Sequence, residues 1–266
     1  MNYPQKILMV KPNNYCINYK INPFMTGTVN KDLAMKQWEN LKDIYIKLGF
    51  ELIIHNDQSD LPDMVFCANP FFSHPRGILL SNMRFGQRKE EVNYVKKWFS
   101  KLNQLQIEEN FEGMGDLLYC YQTSRLFGGY GFRTKKSAYT QIDKVLESKI
   151  QRLELVNENF YHLDTCLCII DKDNALIVEK AFTIDGLTII KNSFKNIILV
   201  DEQEAITSLA CNAHSPNGKD IIVEKSAIKL QKKLEKLNFN IHLADTSEFI
   251  KAGGSIFCMK HPLFVY

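Results

Sequence analysis

Short apolar bursts alternate with longer segments of helical period along the whole chain, and no stretch rich in Pro, Gly or Ser interrupts them. The bursts have strand length and are dominated by Ile, Leu and Val, at 7–10, 52–55, 64–67, 77–80, 153–156, 167–170, 176–178, 197–200, 221–223, 241–243 and 256–259. Such composition predicts sheets covered on both faces or closed inward. Elsewhere apolar residues recur three, four and three apart: Trp38, Leu41, Tyr45 and Leu48, then Val92, Val95, Phe99 and Leu102, then Ala227, Leu230, Leu234 and Leu237. Each set predicts a helix with one buried face. Gly49 closes the first of these where a C-terminal glycine belongs. The recurring order predicts an α/β fold built from a repeated ββα-type module, read as a single domain over residues 1–266.

Charge and cysteine usage narrow the partners. Lys and Arg number 33 against 30 Asp and Glu, a balance that gives no case for nucleic acid or an anionic membrane surface. The apolar stretch at 7–10 is too short for a signal peptide or a membrane span, so a cytoplasmic chain is expected. The 7 cysteines are odd in number and several lie in the apolar runs, where a thiol packs as a small hydrophobe. Cys166 and Cys168 have one residue between them, which does not match the spacing of a zinc knuckle.

Five polar islands interrupt the apolar runs. Asp63 and Asn69 bracket a strand-like segment, and ordinary turn chemistry accounts for either alone. Phe111-Glu112-Gly113-Met114-Gly115-Asp116 sets acids around two glycines, which let the backbone approach a ligand, but no Lys-Ser/Thr follows to make a phosphate loop. In Tyr161-His162-Leu163-Asp164-Thr165-Cys166, an extended backbone would put His162 and Asp164 on one sheet face, a proton carrier beside an anion. No second His or further carboxylate is near enough in sequence to suggest a metal. Gly253-Gly254-Ser255-Ile256-Phe257-Cys258 sets one thiol after a flexible turn, at a sheet rim rather than within the core. Arg84 and Arg133 occupy loop-like contexts in which a guanidinium either anchors a carboxylate or makes a surface salt bridge.

In combination the islands resemble the guanidine-modifying superfamily, the pentein or amidinotransferase-like fold. The ordered set Asp63-x-Val-Phe, Phe-Glu112-Gly-x-Gly-Asp, Gly-Tyr-Gly-Phe-Arg133-Thr, Phe-Tyr-His162-Leu-Asp164-Thr-Cys, Ala-Cys-Asn212-Ala and Gly-Gly-x-x-x-Cys258 is far more specific than any member. The resemblance implies a five-module pseudosymmetric α/β propeller around a central site. It also implies Cys258 as nucleophile, His162 as general acid and base, and Glu112 as a carboxylate that holds the guanidinium. Asp164 would be a further acceptor and Asp63 a substrate contact, while Arg84 and Arg133 would grip the substrate carboxylate. The chemistry is coherent, because a thiolate can attack the planar guanidinium carbon and His162 can protonate the departing amine, through a covalent thiouronium. The expected partner is a small guanidino molecule, without cofactor, metal, nucleic acid or membrane, and oligomerisation is left open.

Asn69 is the most informative single residue. Deiminases and methylated-arginine hydrolases of the superfamily have an acid there, whereas enzymes that remove both terminal nitrogens resemble this chain in having Ala-Asn. A carboxylate only accepts, which suits an all-donor guanidinium, while an amide also donates to the carbonyl oxygen of a ureido group. The Ile-Asn-Pro-Phe-Met and Phe-Tyr-His-Leu-Asp-Thr-Cys segments likewise resemble arginine dihydrolases, with departures at Pro70 and Ser255, where Ala and a third Gly are usual. The expectation is an arginine dihydrolase that gives ornithine, carbon dioxide and ammonia. Arginine deiminase, dimethylarginine dimethylaminohydrolase and amidinotransferase are alternatives on the same site. A non-catalytic pentein binding protein is a second alternative, opposed by the intact Cys258, His162 and Glu112.

Overall fold

In the computed structural model, which describes residues 3–264, strand, helix and strand recur as one unit. Two strands pair antiparallel, a helix crosses over, and a further strand joins parallel, since a parallel pair needs a long crossover. The N-terminal unit comprises β1 (Lys6–Lys11), α1 (Lys31–Lys47) and β2 (Glu51–Asn56), with β1 and β2 parallel from Lys6↔Glu51 to Lys11↔Asn56. Asn30 caps α1 by accepting from the Leu33 amide, and its predicted stripe, Trp38, Leu41 and Tyr45, is buried. The second unit is β3 (Phe71–His74), β4 (Gly77–Leu80), α2 (Gly86–Trp98) and β5 (Gln104–Leu105). The third opens with the single turn α3 (Gly113–Asp116) and continues through β6 (Leu117–Cys120), β7 (Arg125–Tyr130), α4 (Ala138–Leu146) and β8 (Ile150–Glu154).

The fourth unit is β9 (Leu167–Ile169), β10 (Asn174–Ile177), α5 (Ile184–Ser193) and β11 (Asn196–Leu199). After α6 (Glu202–Thr207) comes the fifth, β12 (Asp220–Glu224), α7 (Ile228–Lys236) and β13 (Asn240–Ala244), whose antiparallel partner shrinks to one bridge, His214↔Ile222. Past α8 (Ser247–Ile250), β14 (His261–Leu263) pairs antiparallel with β1 and so completes the first unit. Five sheets are thus present among the described residues, as the propeller reading expects. No helix among them is long and apolar enough to cross a membrane.

A buried turn precedes the first strand of every unit, and hydrogen bonds link the five turns in a ring. The Ala68 amide donates to the Cys258 carbonyl at 3.1 Å, and the Met114 amide to the Ala68 carbonyl at 2.8 Å. The Leu163 amide donates to Asp116 Oδ1 at 3.1 Å, Asn212 Nδ2 to the Asp164 carbonyl at 3.1 Å, and the Phe257 amide to the Asn212 carbonyl at 3.1 Å. Such bonds are what allow irregular backbone to lie in an interior.

These turns overturn three local expectations. Segment 64–67 falls within and just after the 3₁₀ turn Pro62–Val65, and 256–259 is a set of turns, so neither is a strand. Leu163–Thr165 is also 3₁₀, so His162 and Asp164 do not share a sheet face by alternation. Apolar runs report burial, and here burial falls on the axis rather than in a sheet. Conversely β7 carries two glycines and β14 a proline, which hid them as strands. Of the span 1–266, residues 1–2 and 265–266 lie outside the described residues.

The ring demands glycine where the second and third units meet. Gly113 has φ +51°, and a Cβ there would lie 2.3 Å from the Phe71 carbonyl oxygen and 2.5 Å from that of Asn69. Gly113→Ala is therefore expected to cost about 2 kcal/mol or more. Gly27→Ala, also at positive φ (+73°) but with open space around it, should cost about 1 kcal/mol. Thermal melting of both variants checks this; equal melting temperatures would contradict the packing argument.

Candidate active site

The five turns and their flanks deliver polar groups to the axis. Cys258 is buried, and its thiol donates to Asp164 Oδ2 at 3.2 Å while Asn212 Nδ2 donates to Sγ at 3.3 Å. Burial, reinforced by the Asp164 charge, pushes the thiol well above its ordinary value, so it rests protonated. Burial also pushes the Asp164 carboxyl up to about 7, against the pull of the thiol, Lys260 and Asn212. Asp164 Oδ1 has no partner.

Glu112 is fully buried and holds two residues at once. Its Oε2 accepts from His162 Nε2 at 2.7 Å and from Arg133 Nη1 at 2.9 Å, and its Oε1 from the Arg84 amide at 3.1 Å. Burial alone would raise this carboxyl, but Arg133, His162 and Arg88 outweigh it and hold it well below the usual carboxylate range. An ionised Glu112 only accepts, so His162 Nε2 carries a proton and Nδ1 remains the nitrogen able to take one up. Arg133 also donates to the Ile21 carbonyl at 2.8 Å and lies between the rings of Phe85 and Tyr161, 4.8 and 4.7 Å from their centroids.

Asn69 is positioned by a second arginine. Arg88 Nη1 donates to Asn69 Oδ1 at 2.8 Å, which leaves Asn69 Nδ2 buried without a partner. Glu91 in turn grips Arg88 at Nε and Nη2, at 2.8 and 2.7 Å, while the Asp63 and Phe66 carbonyls accept from Nη2. Four of the five guanidinium N–H groups are thereby committed, leaving one on Nη1. Gly115 permits the approach of Asn69 to His162, since a Cβ there would lie 2.4 Å from Asn69 Nδ2 and 3.2 Å from the His162 ring. Asp63 accepts from Tyr19 at 2.9 Å and lies 4.0 Å from Arg88.

A narrow cleft brings together Asp63, Asn69, Arg88, Arg133, His162 and Cys258. Three expected residues stand outside the lining: Asp164 reaches the cleft only through its hydrogen bond with the Cys258 thiol, and Arg84 and Glu112 are placed differently. Arg84 is exposed, donates its guanidinium to the Phe132 carbonyl and does not line this cleft. Glu112 lies behind the lining, with Oε2 shared by His162 and Arg133 and Oε1 taken by the Arg84 amide, which leaves it one acceptor site, on Oε1. Arg88 and its partner Glu91 were missed, yet the sequence carried a signal. Each lies four residues before a member of the α2 apolar stripe, Val92 or Val95, which puts a charged pair on a buried face.

A five-unit α/β propeller with Cys258, His162 and a carboxylate beside the thiol at its axis has the form of the guanidine-modifying proteins. The family model for "N,N dimethylarginine dimethylhydrolase, eukaryotic" matches residues 11–265, and the chain belongs to that family. The N(G),N(G)-dimethylarginine dimethylaminohydrolase of Mycobacterium tuberculosis is 32% identical over 265 residues, which cover 97% of this chain and 86% of that one. The bifunctional arginine dihydrolase/ornithine cyclodeaminase ArgZ of Synechocystis sp. is 32% identical over 264 residues, 96% of this chain but 37% of ArgZ, so this chain spans little more than a third of that relative. The N-terminal domain of ArgZ, in a crystal structure with a covalently bound reaction intermediate, matches at TM-score 0.92 and 31% identity over 97% of each chain.

Arg88 and Arg133 line the cleft, and Arg84 does not. Arg133→Ala and Arg88→Ala are expected to raise KM at least roughly tenfold, as loss of a charge-assisted pair does. Arg84→Ala should keep KM within about twofold. Steady-state kinetics of the three variants checks this; an Arg84→Ala effect as large as the other two would return that residue to the site.

Proposed function

We propose that the chain hydrolyses the guanidino group of arginine twice at one site, giving ornithine, carbon dioxide and two molecules of ammonia. The observation that carries this reading is Asn69, whose Oδ1 is taken by Arg88 and whose Nδ2 is left buried and unpartnered in the cleft wall. Leaving such a donor unmet costs about 1–3 kcal/mol. A guanidinium offers only donors and cannot meet it. The oxygen of a ureido group can, and that oxygen enters with the first water and stays in citrulline.

The roles follow from the groups at hand. Arg133 and the last N–H of Arg88 bind the α-carboxylate, and Asp63 binds the α-ammonium. Asp164 Oδ1 accepts from the guanidinium, whose positive charge beside Cys258 favours the thiolate that burial opposes. The thiol proton passes to His162 Nδ1, the thiolate attacks the guanidino carbon, and His162 returns that proton to the departing ammonia, which leaves a thiouronium. Water, giving its proton to His162, attacks that carbon; the C–S bond breaks and citrulline forms. A second attack on the ureido carbon expels the second ammonia and leaves a thiocarbamate. Its hydrolysis releases a carbamate that breaks down to ornithine and carbon dioxide. Glu112 acts by holding His162 and Arg133 in place.

The family description favours a second reading, in which asymmetric dimethylarginine gives citrulline and dimethylamine. Mass-spectrometric product identification with arginine, asymmetric dimethylarginine and citrulline offered separately tests both. Ornithine from arginine and from citrulline supports the first reading; dimethylamine with no ornithine from any of the three overturns it.

Asn69→Asp isolates the second round. The new carboxylate turns an acceptor toward the ureido oxygen, and a mismatch of about 1–3 kcal/mol corresponds to roughly 5–150-fold. Citrulline should escape, and the early citrulline-to-ornithine ratio should rise about tenfold or more. An unchanged ratio in an active variant would remove Asn69 from the choice between products.

A further inference from the structure

Lys260, two residues beyond Cys258 and just ahead of β14, is fully buried, and its Nζ has no hydrogen-bond partner. It stands 3.2 Å from the centroid of the Phe257 ring. An ammonium withdrawn from water without acceptors is costly, so a counter-charge nearby is what makes it tolerable. The groups that bear on it are Asp164, Cys67, Cys168 and Cys258, and it bears in turn on His214 and His261. Burial holds both histidines well below their ordinary value, hence neutral, and pushes the Cys67 and Cys168 thiols up to about 12, hence protonated. Of these neighbours, Asp164, whose carboxyl is pushed up only to about 7, can supply negative charge at rest, and Cys258, whose thiol rests protonated, supplies it once its proton leaves.

We propose that Lys260 is a positioning residue of the reaction: its buried amine, protonated as the thiolate forms, is the positive charge that lets the Cys258 thiolate and the Asp164 carboxylate coexist. Two like charges in hydrogen-bond contact, here 3.2 Å apart, strongly disfavour each other. A guanidinium relieves that conflict in the first attack. Citrulline is neutral and cannot, so the second attack depends on a cation that belongs to the protein. Burial pushes the ammonium down to about 7 and Asp164 draws it up, so it holds its proton more firmly once the thiolate forms. The inference rests on Cys258 being the nucleophile.

The test is the pH dependence of Cys258 alkylation by iodoacetamide, mapped by peptide mass spectrometry, in wild type, Lys260→Met and Lys260→Arg. Lys260→Met should move the midpoint up by about one pH unit or more and lower kcat on citrulline more than on arginine, with KM little changed. Its melting temperature should not fall, because an apolar side chain of similar length removes a buried charge. Lys260→Arg, which keeps the charge, should keep the wild-type profile. Should Lys260→Met fail to fold, the lysine ¹³Cε titration of Lys260 in wild type and in Asp164→Asn reads the coupling to the carboxylate, and loss of that charge should move the Lys260 midpoint down. Superimposable alkylation profiles, or a Lys260 titration unchanged in Asp164→Asn, would overturn the role of Lys260. Arginine-protected labelling of Cys258 upholds the nucleophile in either case, and its absence in wild type would overturn the nucleophile and this inference together.

Discussion

Irregular backbone can lie at the centre of a protein only if its amides and carbonyls are answered there, and the ring of hydrogen bonds through Ala68, Met114, Leu163, Asn212 and Phe257 answers them. Each contact ties the turn of one unit to that of a neighbour, so the five sheets are fixed relative to one another through the residues that flank the site. Side chains are thereby held by backbone rather than by loops that must close. Asn69, Glu112, His162, Asn212 and Cys258 each come from one of these turns or its immediate flank, which is why distant segments of sequence meet within a few ångströms.

The electrostatics follow from who shares each buried carboxylate. Glu112 has His162 and Arg133 on one oxygen and stays ionised. Asp164 has the Cys258 thiol, the pull of Lys260 and the neighbouring Asn212 amide, which do not outweigh burial, and its carboxyl rises to about 7. Two acids in one core therefore do opposite work: the first is a fixed anchor, the second a group whose charge answers to what lies in the cleft. The Arg88–Glu91 pair belongs with the anchors. Burial alone would weaken the hold of Arg88 on its proton, but Glu91 and Asp63 outweigh it, and the amide of Asn69 is oriented by a permanent cation.

Much of this was legible in the sequence. Helix faces around Trp38, Val92 and Leu230 are buried where the spacing put them, except at their C-terminal ends, where Leu48 and Leu102 are partly buried and Leu237 is half exposed, and the strands at 7–10, 52–55 and 221–223 sit inside β1, β2 and β12. The axial turns were misread, because an apolar run reports removal from water and says nothing of backbone shape when hydrogen-bond partners come from other units. The same blindness affected Glu112 and Arg84. Sequence shows that a carboxylate and an arginine are present, but whether an oxygen is free for substrate depends on His162 and Arg133, which lie 50 and 21 residues further on. Lys260 follows the run 256–259 and carries no signal in the sequence; only burial without a hydrogen-bond partner distinguishes it.

The central claim is that citrulline, once formed, meets a donor at Asn69 and is attacked again before it leaves. The direct measurement uses [guanidino-¹³C]arginine turned over in the presence of excess unlabelled citrulline, with the label followed by NMR and mass spectrometry. Commitment at one site predicts that early carbon dioxide carries the label undiluted by the citrulline pool while ornithine forms in step. Label that appears first in free citrulline, with carbon dioxide diluted to the composition of the pool or absent altogether, would contradict it.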